Sequence, residues 1–182
     1  GWLAKSEEEC IKMATETAAP THNHPEGIKG AVATALTIFH LKNGKDKDFV
    51  REHLLNEYYP DWANLKYGDF HDSYTFNSTC PGTVGPAMIC FLESKDYVDC
   101  IKLAISLGGD SDTLAAITGS IAEAAYGIPD WIKDKAFSYL DESLKDVLRR
   151  WRKYISTVNG DRRAFHTMLT DVNEYLRSNP QA

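Results

Sequence analysis

Residues 104–119 read AISLGGDSDTLAAITG, and this stretch decides how the rest of the chain is interpreted. Two adjacent glycines end one apolar helical pattern and permit a sharp turn. Asp110 and Asp112 follow, two residues apart and beside Thr113, where the next helical pattern begins. Two carboxylates and a hydroxyl are the oxygen ligands that a hard cation such as Mg²⁺ prefers. The turn is therefore a candidate cation site.

The same turn allows a simpler interpretation. An Asp or Ser before an apolar helix commonly serves as an N-cap, whose side chain accepts a hydrogen bond from the first turn. The unpaired N–H groups of a helix start also favour an anion. On the residues alone, capping is the preferred role, because a single Asp-x-Asp-Thr string is weak evidence for a metal.

Helical periodicity extends over nearly the whole chain and predicts one all-α domain over residues 1–182. Ser6 and Glu9 form a capping-box pattern at the first helix. In the helix predicted over residues 95–107, Val98, Ile101 and Ile105 are expected to face the core. The predicted helices run from Ser6 to before Pro20, from Pro25 to before Gly44, from Asp46 through Leu55, and over about 83–92, 95–107, 112–126, 130–139, 141–157 and 162–176.

The segment from Tyr58 to Pro81 follows neither a helical nor a strand period and is rich in aromatic residues. We expect a long structured loop that packs on the helices, a kind of segment that often carries function. Its aromatic rings could form a stacking face for adenine or ribose, or they could serve packing alone. The sequence does not decide between these two roles.

Composition excludes several classes of protein. Of 182 residues, 43% are hydrophobic and 25% are charged, which is typical of a globular protein rather than a disordered one. The net charge of −6 argues against nucleic-acid binding. Neither a membrane-spanning apolar run nor a signal peptide is expected. The four cysteines form no C-x-x-C pair, so we expect reduced cysteines, no zinc site and a cytoplasmic protein.

Residues 104–119 closely resemble the C-terminal signature of the ADP-ribosylglycohydrolase family. The resemblance continues through AEAAYGIP at residues 122–129. A second block, THNHPEGIKGA at residues 21–31, and a weaker one over residues 80–92 occur in the order typical of that family. Together the blocks cover about residues 1–148. The C-terminal helices expected over residues 149–178 carry no such signature.

The resemblance implies a compact all-α enzyme that hydrolyses the glycosidic bond between ADP-ribose and a protein side chain, or a related ADP-ribosyl compound. The partner would then be an ADP-ribosylated protein or an ADP-ribosyl small molecule. Most members of the family use two Mg²⁺ ions, and Mn²⁺ is an alternative. Asp110, Asp112 and Thr113 match the family's C-terminal metal ligands, and Asp110 and Asp112 are the catalytic candidates. His22 matches a substrate-binding histidine.

The chain departs from the family pattern at its start. Full-length members carry an N-terminal portion with a Thr-Asp-Asp metal motif and a Gly/Ser-rich phosphate loop, and neither occurs here. The chain begins at Gly1 without a methionine. We therefore expect a fold that lacks the N-terminal helices. Three alternatives remain: a piece of an enzyme completed by an N-terminal half or by a homo-oligomer, a truncated relative that binds ADP-ribose without hydrolysing it, and a structural, crystallin-like relative.

A basic cluster near the end of the chain comprises Arg149, Arg150, Arg152 and Lys153. Such a run usually forms a solvated helix face, and the alternative is a docking surface for an acidic partner.

Overall fold

The computed structural model describes residues 1–159, and the helix predicted over residues 162–176 lies outside them. Within the described residues every regular element is helical and no strand occurs, which confirms the predicted all-α fold. The elements are α1 (Glu7–Ala18), α2 (Pro25–Lys42), α3 (Lys47–Phe49), a π-helical segment (Val50–Leu55), α4 (Asn56–Tyr58), α5 (Pro60–Ala63), α6 (Tyr67–Phe70), a 3₁₀ turn (His71–Ser73), α7 (Cys80–Glu93), α8 (Tyr97–Ser106), α9 (Ser111–Tyr126), α10 (Asp130–Ser138) and α11 (Glu142–Asn159).

The chain divides into two compact units, and Ile128 is the first residue of the second. The first unit contains α1 to α9, and the described part of the second consists of α10 and α11. In the second unit, the ammonium of Lys145 lies 5.5 Å from the ring centroid of Phe137, so α10 and α11 are in contact. The expectation of a single domain over residues 1–182 stays a prediction.

The central helix of the first unit is α7. Every residue from Gly82 to Phe91 is buried, so this helix has no solvent-facing side. The helices α2, α8 and α9 pack against it. Gly85 lets an aromatic ring approach closely, because a Cβ atom there would lie 2.5 Å from Cδ1 of Trp62. Burying each large apolar side chain stabilises such a core by roughly 1.5–3 kcal/mol.

Contacts at both ends show that α2 and α7 run parallel. Near their starts, Gly30 of α2 lies against Cys80, the first residue of α7, since a Cβ atom on Gly30 would be 3.1 Å from Cys80 Sγ. Shortly after α2 ends, the ammonium of Lys47 donates to the carbonyl of Leu92 at the end of α7, at 3.1 Å.

Contacts at two levels show that α9 also runs parallel to α7. In the middle of the two helices, the Thr118 hydroxyl donates to the carbonyl of Ala87 at 3.2 Å. At their ends, the Tyr126 hydroxyl donates to the carbonyl of Ser94 at 3.1 Å. Because α2 and α9 also pack against each other, three parallel helices begin at one end of the first unit.

Lys47 closes the C-terminal end of α7. Its ammonium donates to the carbonyls of Leu92 and Ser94, and it lies 5.2 Å and 5.5 Å from the ring centroids of Phe91 and Tyr126. Carbonyl groups at a helix end carry partial negative charge, so a cation is stabilising there, and the two rings add to the attraction.

Polar side chains cap most of the long helices of the first unit. Ser6 accepts from the N–H of Glu9 at 3.2 Å, as predicted. The Glu9 carboxylate reaches back to the N–H of Lys5, at 2.8 Å, one residue further than a capping box requires. The other side-chain caps are His24 on α2, Thr79 on α7 and Asp96 on α8.

Two predictions about helix extent need correction. The short helix that begins after Asp46 continues to Tyr58 and contains the π-helical segment, in which each hydrogen bond spans one extra residue. The segment from Tyr58 to Pro81 is not a continuous loop, because it contains α5, α6 and the 3₁₀ turn. Each of these is only three or four residues long, which is too short to give a detectable helical period.

The prediction that Ile105 faces the core is wrong, because its side chain is 54% exposed. The core side of α8 is formed by Cys100 and Ala104. These residues are smaller than isoleucine and let α8 approach α9 closely, an effect that hydrophobicity alone does not reveal.

All four cysteines are free, and Cys10, Cys90 and Cys100 are buried, as predicted. Burial raises the pKa of Cys90 to about 12 and that of Cys100 to about 11, so both thiols stay protonated at neutral pH. Among the described residues, no helix has both the length and the apolar character needed to cross a bilayer.

Candidate functional site

The acidic turn, residues 108–113, joins α8 to α9 through two glycines in the left-handed region. Gly108 has φ +73° and Gly109 has φ +61°, values that side-chain-bearing residues adopt only at a cost. Gly109 also faces a neighbouring backbone, since a Cβ atom there would lie 3.1 Å from the Cα atom of Phe76. The glycine pair thus lets the chain reverse and brings Asp110 and Asp112 to the start of α9.

The carboxylate of Asp110 does not cap α9. Asp110 occupies the N-cap position with φ −83° and ψ +61°, but its side chain accepts no hydrogen bond from the first turn. The capping interpretation is therefore wrong for this side chain, which stays available for another ligand. The residues that do cap with their side chains at the same position of other first-unit helices are Ser6, His24, Asp46, Thr79 and Asp96.

The carboxyl groups of Asp110 and Asp112 are neighbours at the start of α9. Hydrogen bonding from Asp110 is the main cause that lowers the pKa of Asp112, and the backbone N–H of Thr113 contributes by donating to Asp112 Oδ1 at 3.0 Å. Asp112 and Thr113 are exposed, whereas Asp110 is half-buried. A cation from solvent can therefore approach the pair, and the lowered pKa keeps Asp112 ionised at neutral pH.

The acidic turn lies at the end where the three parallel helices begin. Thr118 is level with Ala87, so seven residues earlier in each helix Ser111 comes close to the level of Cys80. Gly30 of α2 lies at the same level as Cys80. Because α2 begins at Pro25, five residues before Gly30, its first turn extends about 7.5 Å beyond that level. Helix starts carry partial positive charge, so this end suits a ligand with an anionic group beside the carboxylates.

His22 lies in the turn between α1 and α2, at this same end. Its side chain is exposed, and its Nδ1 is hydrogen-bonded to the hydroxyl of Thr21 at 2.8 Å. Within residues 1–159, no hydrogen bond or ion pair joins His22 to the acidic turn. The structure therefore places His22 at the same end of the helices, without a hydrogen bond to Asp110. Its role in substrate binding stays a prediction.

Residues 75 and 76 lie against the acidic turn at Gly109, a contact that the sequence did not predict. The ring of Phe76 is 68% exposed, and its backbone contacts Gly109. The Tyr74 hydroxyl donates to a carbonyl in the first turn of α7 at 2.9 Å, and burial raises its pKa, with Asp110 among the smaller causes. The aromatic composition of this segment was the available signal. An irregular segment has no period, however, so the sequence could not show which of its residues contacts the acidic turn.

The donor atoms at the acidic turn suit a hard divalent cation in kind but not in number. Asp110, Asp112 and Thr113 offer only oxygen ligands, as Mg²⁺ requires. An octahedral shell has six positions, so other ligands or water must fill the rest. In the part of the chain that the structure describes, no group of three or more His, Cys, Asp or Glu residues is arranged to hold a metal.

Comparison with known proteins gives one family and two informative relatives. The family model described as ADP-ribosylglycohydrolase matches residues 1–173. The ADP-ribosyl-[dinitrogen reductase] glycohydrolase of Rhodospirillum rubrum is 27% identical over 136 residues, which are 71% of this chain and 43% of that protein. The ADP-ribosylarginine hydrolase Tri1 of Pseudomonas putida (strain GB-1) is 26% identical over 136 residues, which are 70% of this chain and 37% of that protein. The matched stretch thus spans less than half of either relative.

Proposed function

The chain belongs to the ADP-ribosylglycohydrolase family, and from that membership we propose that it contributes to a hydrolase that removes ADP-ribose from a modified protein side chain or a related ADP-ribosyl compound. Both relatives bear names that specify ADP-ribosyl hydrolysis, and both names point to a protein-linked group. One of them specifies arginine as the modified residue. ADP-ribosylarginine is therefore the first substrate to test.

The observation that carries this proposal is that the Asp110 carboxylate, at the N-cap position, does not cap α9. It lies beside Asp112 and does not cap α9, at the end of the first unit where three helices start. ADP-ribose offers complementary chemistry, because its ribose hydroxyls can join a cation shell and its diphosphate suits helix N-termini. A carboxylate beside the ribose can also accept a proton from an attacking water. Asp110 and Asp112 are the residues to which we assign these tasks.

We propose that the cofactor is Mg²⁺, two ions in a complete site, with Mn²⁺ as an alternative. Asp110, Asp112 and Thr113 would supply part of the ligand shell. When bound, such ions would orient the ribose hydroxyls and an attacking water. His22 would hydrogen-bond the diphosphate or ribose from the start of α2. An N-terminal half or a second copy of the chain would supply the remaining ligands. The free cysteines support a reducing, cytoplasmic setting.

A second candidate is a non-catalytic relative that binds ADP-ribose or serves a structural, crystallin-like role. The ligand count favours it, since the described residues offer two carboxylates and one hydroxyl where a dinuclear Mg²⁺ centre needs more. Binding and hydrolysis are therefore separate questions for this chain.

Calorimetric titration of ADP-ribose into the purified chain, with and without Mg²⁺, tests the site. We expect magnesium-dependent binding that Asp112→Asn weakens by about tenfold or more, because that substitution removes a charged ligand. Asp134→Asn is the matched control, since Asp134 is exposed on α10, away from the acidic turn in sequence. Binding that needs no Mg²⁺ and survives Asp112→Asn would refute the metal assignment.

Hydrolysis of ADP-ribosylarginine is measured next on the same variants, in the presence of Mg²⁺. Turnover that Asp110→Asn and Asp112→Asn abolish supports the enzyme. Magnesium-dependent binding without turnover supports the non-catalytic alternative, and absence of binding in every condition contradicts both functions for this chain acting alone.

A further inference from the structure

The helix α11 exposes an apolar stripe. We define this stripe as Leu144, Val147, Trp151 and Tyr154, which are spaced three, four and three residues apart and so share one face of the helix. These residues are between 43% and 54% exposed. The rings of Trp151 and Tyr154 are stacked, with centroids 6.3 Å apart. An exposed apolar stripe of this kind marks a contact surface, because covering it removes apolar area from water.

The neighbouring helix α10 packs on a different side of α11. The ring centroid of Phe137 lies 5.5 Å from the ammonium of Lys145 and 6.0 Å from the guanidinium of Arg152. Lys145 and Arg152 are seven residues apart and share a face of the helix that does not include the stripe. Only 7% of the Lys145 side chain is exposed, so this is the face that packing covers. Among the residues that the structure describes, the stripe therefore remains open to another molecule.

The spacing of the stripe is the one that helices use to pair along their length. Apolar residues that alternate at intervals of three and four occupy positions a and d of a heptad, and they pack against a matching stripe on a second helix. The stripe contains two such pairs, Leu144 with Val147 and Trp151 with Tyr154. A helix with the same spacing therefore fits it, and a second copy of this chain supplies one.

The sizes of the stripe residues favour an antiparallel partner. The smaller side chains, Leu144 and Val147, occupy the N-terminal half of the stripe, and the two large rings occupy the C-terminal half. In a parallel pair of identical helices the large rings would crowd each other, and the smaller residues would leave a gap. In an antiparallel pair Val147 comes level with Trp151 of the second copy, and Leu144 with Tyr154. Large residues then meet smaller ones along the whole stripe, so the stripe is complementary to itself when reversed.

Charges at one edge of the stripe are complementary in the same arrangement. Arg150 lies on this edge, three residues after Val147 and four before Tyr154, and forms an ion pair with Asp146 at 2.9 Å. When Val147 is level with Trp151 of the second copy, Arg150 lies about 3 Å along the axis from Asp146 of that copy. A basic residue of each copy thus lies beside an acidic residue of the other, and two-fold symmetry makes the contact twice.

We propose that the chain forms a dimer through antiparallel pairing of α11 with α11 of a second copy, in which the two stripes pack against each other. Because the same surface is used on both copies, the contact closes on itself and yields a dimer rather than a longer assembly. The proposal does not depend on the proposed function, because it concerns the second unit and none of the candidate site residues.

Size-exclusion chromatography with light scattering measures the mass of the full chain in solution. We expect twice the mass of one chain for the wild type and the mass of one chain for Trp151→Asp, because this substitution buries a charge in the contact. Trp131→Asp is the matched control and should stay dimeric, since Trp131 is 64% exposed on α10 and lies outside the stripe. A monomeric wild type would overturn the proposal, and so would a dimer that Trp151→Asp leaves intact.

Charge reversal at the edge tests the same contact without changing the apolar stripe. Arg150→Asp should weaken the dimer by about tenfold, because it places acidic residues beside each other at two equivalent positions. The double variant Asp146→Arg with Arg150→Asp restores opposite charges and should recover the dimer. Dissociation constants that are equal for the wild type and Arg150→Asp would overturn the proposed arrangement.

Disulfide formation tests the direction of the pairing. Leu144→Cys and Tyr154→Cys are prepared as separate full-length variants, mixed and mildly oxidised. We expect a disulfide between the two variants, because position 144 comes level with position 154 of the other chain. Neither variant alone should link, since the two substituted positions would lie ten residues, or about 15 Å, apart along the axis. Links within each variant alone would show a parallel pair and overturn the proposal, as would the absence of any link in the mixture.

Discussion

The glycines of the acidic turn make different demands on their surroundings. Gly108 and Gly109 both have positive φ, so a side chain at either position strains the backbone. Only Gly109 also faces a close neighbour, because the backbone of Phe76 lies against it, whereas Gly108 has open space on the corresponding side. A substitution at Gly108 therefore reports backbone strain alone, whereas a substitution at Gly109 reports strain together with a steric clash.

We expect Gly108→Ala to lower the free energy of unfolding by about 1–2 kcal/mol, the cost of holding alanine in the left-handed region. Gly109→Ala should cost more, because its methyl group must also displace the backbone of residues 75–76. Urea unfolding of both variants measures the difference. Gly44→Ala is the control, since Gly44 has φ +84° and no atom near its Cβ position. Equal losses for Gly108→Ala and Gly109→Ala would contradict the contact with Phe76.

The sequence could single out Asp110 as a candidate site residue, which stays a prediction, but it could not show that its side chain leaves α9 uncapped. Asp110 and Asp141 both precede a helix, and an N-cap pattern predicts the same role for both. Asp141 accepts from the N–H of Leu144 at 2.9 Å, whereas Asp110 leaves its carboxylate free of the helix. The difference arises from the backbone angles that the glycine pair imposes. Such angles depend on the tertiary contact of Gly109, which a sequence does not show.

Among the helices, long periodic elements were predicted well and short ones were not. The helices α1, α2 and α7 to α10 begin and end within about three residues of their predicted bounds. The three-to-four-residue helices of the aromatic segment were missed, because their conformation is set by packing against α7 rather than by a local pattern. Ile105 shows the same limit, since a helical stripe predicts an apolar face but does not tell which part of it is covered.

At the level of these elements, Lys47 links the end of α7 to α9. We expect Lys47→Met to lower the free energy of unfolding by about 2 kcal/mol, because the carbonyls of Leu92 and Ser94 lose their donor and two rings lose a cation. Lys12→Met is the control, as Lys12 is 72% exposed and makes only a distant surface ion pair. Thermal unfolding of both variants decides the point, and similar losses would refute the role of Lys47.

Across the first unit, pairings between distant parts of the chain hold the helices together. One of them joins α1 to α2, where Nε2 of the buried His40 lies 3.3 Å from the Glu7 carboxylate. Burial is the main cause that lowers the pKa of His40, and Lys45 and His53 add to it while Glu7 opposes it. The folded protein therefore favours the neutral imidazole, and protonation favours the unfolded chain.

Because the pKa of His40 is lower in the folded than in the unfolded protein, the stability that His40 contributes is complete above its unfolded pKa of about 6.5. That stability is lost as the pH falls towards the lower folded-state pKa. We expect the wild type to lose more free energy of unfolding than His40→Gln between about pH 7.5 and about pH 5.5. Urea unfolding at both pH values measures this difference. An equal loss in wild type and His40→Gln would contradict the assignment.

The burial of α7 on every side has a consequence for how the protein is made. A helix without a solvent-facing side is stabilised only by its packing against neighbouring helices. These neighbours are synthesised at different times, because they lie before and after α7 in the chain. The partner α2 is already synthesised when α7 emerges, but α9 is completed roughly 30 residues later, a delay on the order of seconds at ordinary rates of translation. During that interval the nascent chain exposes the side of α7 that α9 later covers. The stretch that holds the finished unit together is thus the one that most needs a chaperone while the chain is growing.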